Sequence, residues 1–120
     1  MAVARPTAEL APAPARCCPP IAAPSISDAD VALTATLFKA LSDPSRVRIV
    51  NLLANQTEAV CVCDITAQMG LSQPTVSFHL KKLMSAGLLD REQRGIWGYY
   101  SLNRVALARL AGVFDTKGLA

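Results

Sequence analysis

The side chains best suited to binding a soft ion are four cysteines, which fall into two close pairs. Cys17 and Cys18 are adjacent, and Cys61 and Cys63 are separated by one residue. Thiolates are the protein ligands that soft metal ions prefer. If Cys61 and Cys63 lie in extended backbone, both sulfur atoms fall on one face, because side chains alternate along a strand. We therefore predict a thiolate site, with either three or four of these cysteines as ligands.

Other interpretations of the cysteines remain open. Cys61 and Cys63 also fit ordinary packing, because free cysteine is often buried, and Cys17 and Cys18 also fit incidental placement. The same thiols would form a disulfide in a redox-responsive protein. If Cys61 immediately precedes a helix, Cys63 lies at the helix N-terminus, and we expect the helix dipole to lower the pKa of its thiol.

A second chemically informative stretch is a helix predicted from Ser72 to Ala86. Ser72 is a helix-capping residue, proline follows within the first turn, and Gly87 is a typical stop. Apolar residues recur at helical spacing on its inner side, so polar, aromatic and basic side chains face outward. The residues of this helix that we predict to contact DNA are Ser72, Gln73, Thr75, Ser77, Phe78, His79, Lys81 and Lys82.

The outward side chains fit the major groove of duplex DNA. Gln73 can pair with adenine in bidentate fashion, and Thr75 and Ser77 are short enough to lie against the groove floor. Lys81 and Lys82 lie further along the helix, where we expect phosphates.

His79 is the only histidine in the chain. Two roles are open for it, a contact with DNA and a half-buried position that supports the helix.

The pattern after this helix changes from helical to alternating. Leu88–Arg94 and Trp97–Leu102 predict two strands joined by a turn. An extended hairpin of this kind brings Arg91 and Arg94 over the DNA backbone or the minor groove. The chain from 72 to 109 carries a net charge of +4, against +3 for the whole chain, as expected for a phosphate-binding surface.

The remaining helices position these two groups. We predict helices from Ser27 to Leu41, from Pro44 to Ala54, from Cys63 to Met69 and from Val105 to Phe114, with a short β-prone segment at Val60–Val62. In the second helix, Val47, Val50 and Leu53 mark the predicted inner face, and Ile49 and Leu52 broaden it. The last helix is apolar on more than one side, which indicates contact with another subunit.

Length and composition set the domain organisation. With 120 residues the chain accommodates one domain, and we place it at 27–116, followed by a tail at 117–120. Residues 1–26 hold six of the eight prolines, which predicts a flexible N-terminal arm. A continuous apolar run long enough for a membrane span or a secretory leader is lacking, so we expect a cytoplasmic protein with reduced thiols.

The predicted fold is mainly α with a small β-hairpin (α+β). The short helix, its turn and the helix from Ser72 form a helix-turn-helix, and the hairpin is a wing. We expect a dimeric winged helix-turn-helix with five helices and a two-stranded wing. The second helix of such a motif enters the major groove.

The sequence resembles the ArsR/SmtB family of winged-helix metalloregulators over roughly 30–114. The matching motifs are LFKALSDPSR at 37–46, VCVCDI at 60–65, LSQPTVSFHL at 71–80 and AGLL at 86–89. The resemblance implies a homodimeric repressor whose first and last helices form the dimer interface. It also implies that binding of a metal or metalloid lowers the affinity for operator DNA and releases transcription, with no organic cofactor.

The resemblance also bears on the ion. Zinc and nickel sensors of that family carry Asp and His ligands on the last helix, whereas here 105–110 has neither. The pattern Cys61-x-Cys63-Asp64 looks like the arsenic- and cadmium-type site of the family. As(III) or Sb(III), which need three sulfurs, is the preferred inducer, and Cd(II) or Pb(II), which accept four, is the alternative.

Two rival classes make different demands on the residues. A thiol reductase is typically built on Cys-x-x-Cys, whereas this chain has Cys-Cys and Cys-x-Cys. We therefore do not expect an enzyme. A winged helix that binds only protein does not need Gln73, Thr75 and two lysines on its exposed face.

Overall fold

The computed structural model of the chain describes residues 18–116. The elements in that range are helices α1 (Asp28–Ala40), α2 (Pro44–Ala54), α3 (Val62–Met69), α4 (Gln73–Ser85) and α5 (Arg104–Val113), and strands β1 (Val60–Cys61), β2 (Leu89–Arg94) and β3 (Trp97–Leu102). The winged helix-turn-helix predicted from the sequence is confirmed. The predictions for 1–17, which include Cys17, and for 117–120 lie outside the described residues.

Capping side chains start α1 and α2 where the sequence predicts. Ser27 Oγ accepts a hydrogen bond from the Asp30 amide at 3.1 Å. Asp43 caps α2 through a bond from the Ser45 amide at 2.8 Å, and Pro44 occupies the first turn. Each cap satisfies an amide that would otherwise lack a partner at a helix start.

Three strands form one antiparallel sheet in the order β1-β3-β2. The hairpin of β2 and β3 is the predicted wing, and its turn contains Gly95 with a φ of 63°. The β-prone segment becomes β1, which pairs Val60 with Tyr100 and Cys61 with Tyr99. The segment before the helix-turn-helix is therefore joined directly to the wing.

The core is aliphatic and lies between the helices and the start of the wing. Its fully buried side chains are Leu37, Ile49, Leu53, Ile65, Val76, Leu80, Leu83 and Leu88. The predicted inner face of α2 was wrong at Val47, which is 49% exposed, whereas Ile49, predicted to broaden that face, is completely buried. Two apolar stripes were available on this helix, and packing against α3 and α4 selects the one with Ile49.

The helix-turn-helix is formed by α3 and α4. Gly70 ends α3 with a φ of 69°, a left-handed conformation that glycine adopts without strain. Ser72 then caps α4, the predicted DNA-reading helix (hereafter the reading helix), by accepting from the Thr75 amide. Among residues 18–116, no helix has both the length and the apolarity needed to cross a bilayer.

Candidate nucleic-acid interface and thiol site

The outer face of the reading helix presents short polar side chains near its N-terminus. Gln73 and Ser77 are exposed and lie one helical turn apart. Ser72 and Thr75 are also exposed, but their hydroxyl oxygens are 2.9 Å apart and share a hydrogen bond. In the protein without DNA, the Ser72 hydroxyl therefore caps the helix.

Phe78 lies at the middle of the reading helix close to two cations. Its side chain is 51% exposed. Lys82 Nζ lies 5.4 Å from the ring centre, and the Arg46 guanidinium carbon lies 5.9 Å from it. Cations over an aromatic face are attracted by its quadrupole. Basic charge is thus held beside an exposed ring on the outer side of α4.

His79 lies on the inner side of the same helix. It is 8% exposed, and its Nδ1 accepts a hydrogen bond from Arg46 Nε at 3.2 Å. Of the two roles left open by the sequence, this placement favours support of the helix over a contact with DNA. Lys81, two residues further along, is exposed.

The wing carries its two arginines on opposite faces. Arg91 pairs in register with Tyr100, and its Nε donates to the Tyr100 hydroxyl at 3.2 Å. A Cβ atom added at Gly98 would lie 2.9 Å from the Arg91 guanidinium, so glycine leaves room for that group. Arg91 is thereby held flat against the strand.

Arg94 lies on the other face of the wing, near the tip. Its guanidinium carbon is 4.2 Å from the centre of the Tyr99 ring, and its Nε lies 3.0 Å from Glu92 Oε2. The hydrogen bond from Arg94 holds the pKa of Glu92 below its usual range and raises the pKa of Arg94. In the protein alone, the charge of Arg94 is therefore partly neutralised by Glu92.

The predicted thiol pair lies at the start of α3. Cys61 is the N-cap residue in extended conformation, and Cys63 lies in the first turn. Their sulfur atoms are 2.8 Å apart and share a hydrogen bond. Cys61 is 5% exposed and Cys63 is exposed, so one sulfur is anchored in the core and the other is accessible. Two sulfurs this close fit the donor set of a soft ion.

Two details of this prediction were wrong. The helix begins at Val62 rather than Cys63, because Cys61 pairs with β3 and then serves as the cap. The pKa of Cys63 is raised, not lowered. The main cause is the hydrogen bond between the Cys63 thiol and Cys61, followed by desolvation and by the negative charges of Cys61 and Asp64.

The described part of the chain supplies two of the predicted sulfur ligands in one place. Within 18–116, no group of three or more His, Cys, Asp or Glu side chains is arranged to hold an ion. Cys18 is exposed, and Cys17 lies outside the described residues. A third sulfur ligand from the predicted arm stays a prediction.

The residues that support the predicted interface were not among those predicted from the sequence. Arg46 contacts both Phe78 and His79. Tyr99 and Tyr100 hold the wing arginines. The two-residue turn sets the hairpin register, which places Arg91 opposite Tyr100 and could have revealed that pair.

The sequence of this chain is similar to the sequences of known regulatory proteins. The family model for bacterial regulatory proteins of the arsR family matches residues 43–91, from the cap of α2 into β2. The chain is 34% identical over 103 residues to ArsR2 of Halobacterium salinarum, covering 85% of this chain and 84% of that protein. It is 40% identical over 79 residues to the arsenical resistance operon repressor of Escherichia coli, covering 66% and 67% of the two.

A solved structure has the same fold. The solution structure of a homodimeric winged helix-turn-helix DNA-binding domain from Mycobacterium bovis matches with a TM-score of 0.60 at 29% identity. The match covers 73% of this chain and 84% of that one. The relatives are transcriptional regulators rather than enzymes, in agreement with the sequence prediction. On its fold, its helix-turn-helix motif and these matches, the chain belongs to the ArsR family of bacterial regulatory proteins.

Proposed function

We propose that the protein is a metalloid-responsive repressor that binds operator DNA as a homodimer and is released when As(III) or Sb(III) binds its cysteines. The observation that carries the proposal is the sulfur pair of Cys61 and Cys63, 2.8 Å apart at the start of α3. Helix α3 packs on the reading helix α4, so the thiols lie one element away from the residues offered to DNA.

The exposed side of α4 supports the DNA-binding part. Gln73, Thr75 and Ser77 are the proposed base contacts, and Lys81 and Lys82 the proposed phosphate contacts. Two wing arginines extend the basic surface: Arg91 and Arg94. Contacts to phosphate make binding salt-dependent, because cations that shield the DNA are released.

Exposed apolar side chains support a homodimer through the first and last helices. Phe38 on α1 and Phe114 at the end of α5 are 42% and 66% exposed, and their ring centres lie 5.7 Å apart. Val31, Val105 and Val113 add exposed apolar surface on the same two helices. A second copy that covers this surface would present two reading helices to half-sites about 34 Å apart.

The chemistry of the cysteines supports the inducer. Soft thiolates suit trivalent arsenic or antimony, and Cys61 and Cys63 would supply two of the sulfur ligands of such an ion. Cys17 or Cys18 would supply the remaining sulfur. Cd(II) or Pb(II) is the alternative inducer if all four cysteines bind. Because thiols stay reduced where operator DNA lies, the proposal places the protein in the cytoplasm.

A redox-responsive repressor is the second candidate, favoured by one observation. Cys63 is exposed and its sulfur already touches that of Cys61, so an oxidant reaches one thiol beside its partner. Release by peroxide without any response to arsenite would support this candidate.

The proposal is tested by titrating reduced protein with sodium arsenite. Thiolate absorption reports binding, and fluorescence anisotropy of labelled operator DNA reports release in parallel. Two or three cysteines ligated per subunit, with release at the same arsenite concentration, support the proposal. Binding of arsenite without any change in operator affinity contradicts it.

A further inference from the structure

The short strand β1 connects the thiol pair to the wing. Cys61, the last residue of β1, lies directly opposite Tyr99 of β3. On its other side Tyr99 lies directly opposite Glu92 of β2. Residues directly opposite each other in an antiparallel sheet share a face, with Cβ atoms about 4.5–5.5 Å apart. One face of the sheet therefore runs from the buried sulfur ligand across Tyr99 to the outer strand of the wing.

Tyr99 also supports the arginine near the wing tip. The Arg94 guanidinium carbon lies 4.2 Å from the centre of the Tyr99 ring, the shortest cation-to-ring distance among the described residues. Glu92 holds the same guanidinium at 3.0 Å. The position of Arg94 therefore depends on where the Tyr99 ring lies.

Resting on the proposed function, we infer that Tyr99 is a positioning residue that couples ligand binding at Cys61 and Cys63 to the placement of Arg94 on DNA. Holding a ligand at both sulfurs replaces their 2.8 Å contact. Cys61 is 5% exposed and is both the end of β1 and the cap of α3, so it has little room to adjust alone. A displacement of Cys61 therefore moves its partner Tyr99 in β3. Arg94 moves in turn, because its guanidinium lies over the Tyr99 ring.

Coupling from Cys61 through Tyr99 to Arg94 differs from coupling through the packing of α3 on α4. Tyr100 provides the matched comparison, since it is the next residue of β3 and belongs to the opposite face. It lies opposite Val60 and Arg91, not opposite Cys61. A route through Tyr99 therefore predicts that two neighbouring tyrosines of one strand differ in their effect on coupling.

The experiment measures operator affinity of the reduced full-length protein with and without sodium arsenite in four proteins. These are wild type, Tyr99→Leu, Tyr99→Phe and Tyr100→Leu. The coupling is the ratio of the two affinities, which removes any direct effect of a substitution on DNA binding. We expect a ratio of roughly 10–100 in wild type, within the usual range for allosteric coupling. In Tyr99→Leu it falls below about 3 although arsenite still binds, and Tyr99→Phe and Tyr100→Leu keep it.

Retention of the wild-type ratio by Tyr99→Leu overturns the inference, and so does an equal loss in Tyr100→Leu. A second readout separates this outcome from failure of the proposed function. Trp97 is the only tryptophan and lies opposite Arg94 in register. Its emission reports on the wing in protein without DNA.

If arsenite leaves wild-type operator affinity unchanged, the proposed function fails, and Trp97 emission still decides the inference. The inference is supported if sodium arsenite or cadmium chloride changes the Trp97 emission of wild type and this change is absent in Tyr99→Leu. Unchanged wild-type emission with both sodium arsenite and cadmium chloride overturns it.

Discussion

Arg46 Nε donates a hydrogen bond to Nδ1 of His79 at 3.2 Å, joining the first turn of α2 to the buried side of the reading helix. The same guanidinium donates to the carbonyl of Ala40 at 3.4 Å and lies beside the Phe78 ring. One arginine thus connects the end of α1, the start of α2 and the middle of α4. These contacts hold the reading helix against the end of α1 and the start of α2.

Replacing His79 by alanine is expected to lower the free energy of unfolding by about 1–3 kcal/mol, because Arg46 loses its acceptor and the buried imidazole leaves a gap. Urea unfolding followed by circular dichroism measures this change. Ser77→Ala, an exposed position on the same helix, should stay within about 0.5 kcal/mol of wild type. Unchanged stability of His79→Ala with a loss of sequence preference would instead assign His79 to DNA contact.

Gln73→Ala should weaken operator binding by about 1–3 kcal/mol, roughly 5- to 150-fold, because a bidentate base contact is lost. Affinity for unrelated DNA should be unchanged, since base contacts carry the sequence preference. Anisotropy titrations with operator and scrambled duplexes measure both. Equal losses on the two duplexes would rule out base reading by Gln73.

Lys81→Ala should weaken binding to every duplex alike, because a phosphate contact carries no sequence information. The slope of log affinity against log salt should fall by about 1. Titrations across a series of salt concentrations give that slope. An unchanged slope would place Lys81 away from the phosphates.

Glu92→Gln should strengthen DNA binding and steepen its salt dependence, because Arg94 loses the carboxylate that neutralises it. Stability should hardly change, since the ion pair is exposed. Asp90→Asn is the control, because it removes one negative charge from the same strand and leaves the pair of Arg94 and Glu92 intact. An equal gain in both variants would show a general charge effect rather than release of Arg94.

The pKa of Glu92 fixes the pH dependence of this effect. Arg94 holds that pKa below the ordinary value of 4.5. The ion pair is therefore fully present above pH 4.5 and is lost only as the pH falls through the lowered pKa of Glu92. The difference between Glu92→Gln and wild type should be the same at about pH 6 and at about pH 8.

Gly98→Ala should weaken operator binding by moving Arg91, since the new Cβ would lie 2.9 Å from the guanidinium. The fold should tolerate the change, because the contact is with the end of a flexible side chain. Wild-type affinity of Gly98→Ala would show that the position of Arg91 does not affect DNA binding.

Local chemistry explains which parts of the fold the sequence predicted. Ser27, Asp43 and Ser72 bond amides of their own first turns, so the helix starts depend on residues next to one another. The stripe of Val76, Leu80 and Leu83 follows from helical spacing alone, and all three are completely buried.

The features that were missed depend on contacts between distant segments. The start of α3 at Val62 depends on the pairing of Cys61 with Tyr99. These two residues are 38 positions apart in the sequence. The raised pKa of Cys63 follows from the placement of the Cys61 sulfur, which outweighs a helix dipole inferred from position alone. The placement of His79 requires Arg46, 33 residues earlier.

The most direct test of the account is operator affinity with and without sodium arsenite, measured for reduced wild-type protein and for Cys63→Ser. Cys63 is exposed, so serine should leave the fold and the arsenite-free affinity unchanged. The account predicts that arsenite weakens wild-type binding by roughly 10-fold or more and leaves Cys63→Ser bound. Release of Cys63→Ser at the same arsenite concentration as wild type would contradict it.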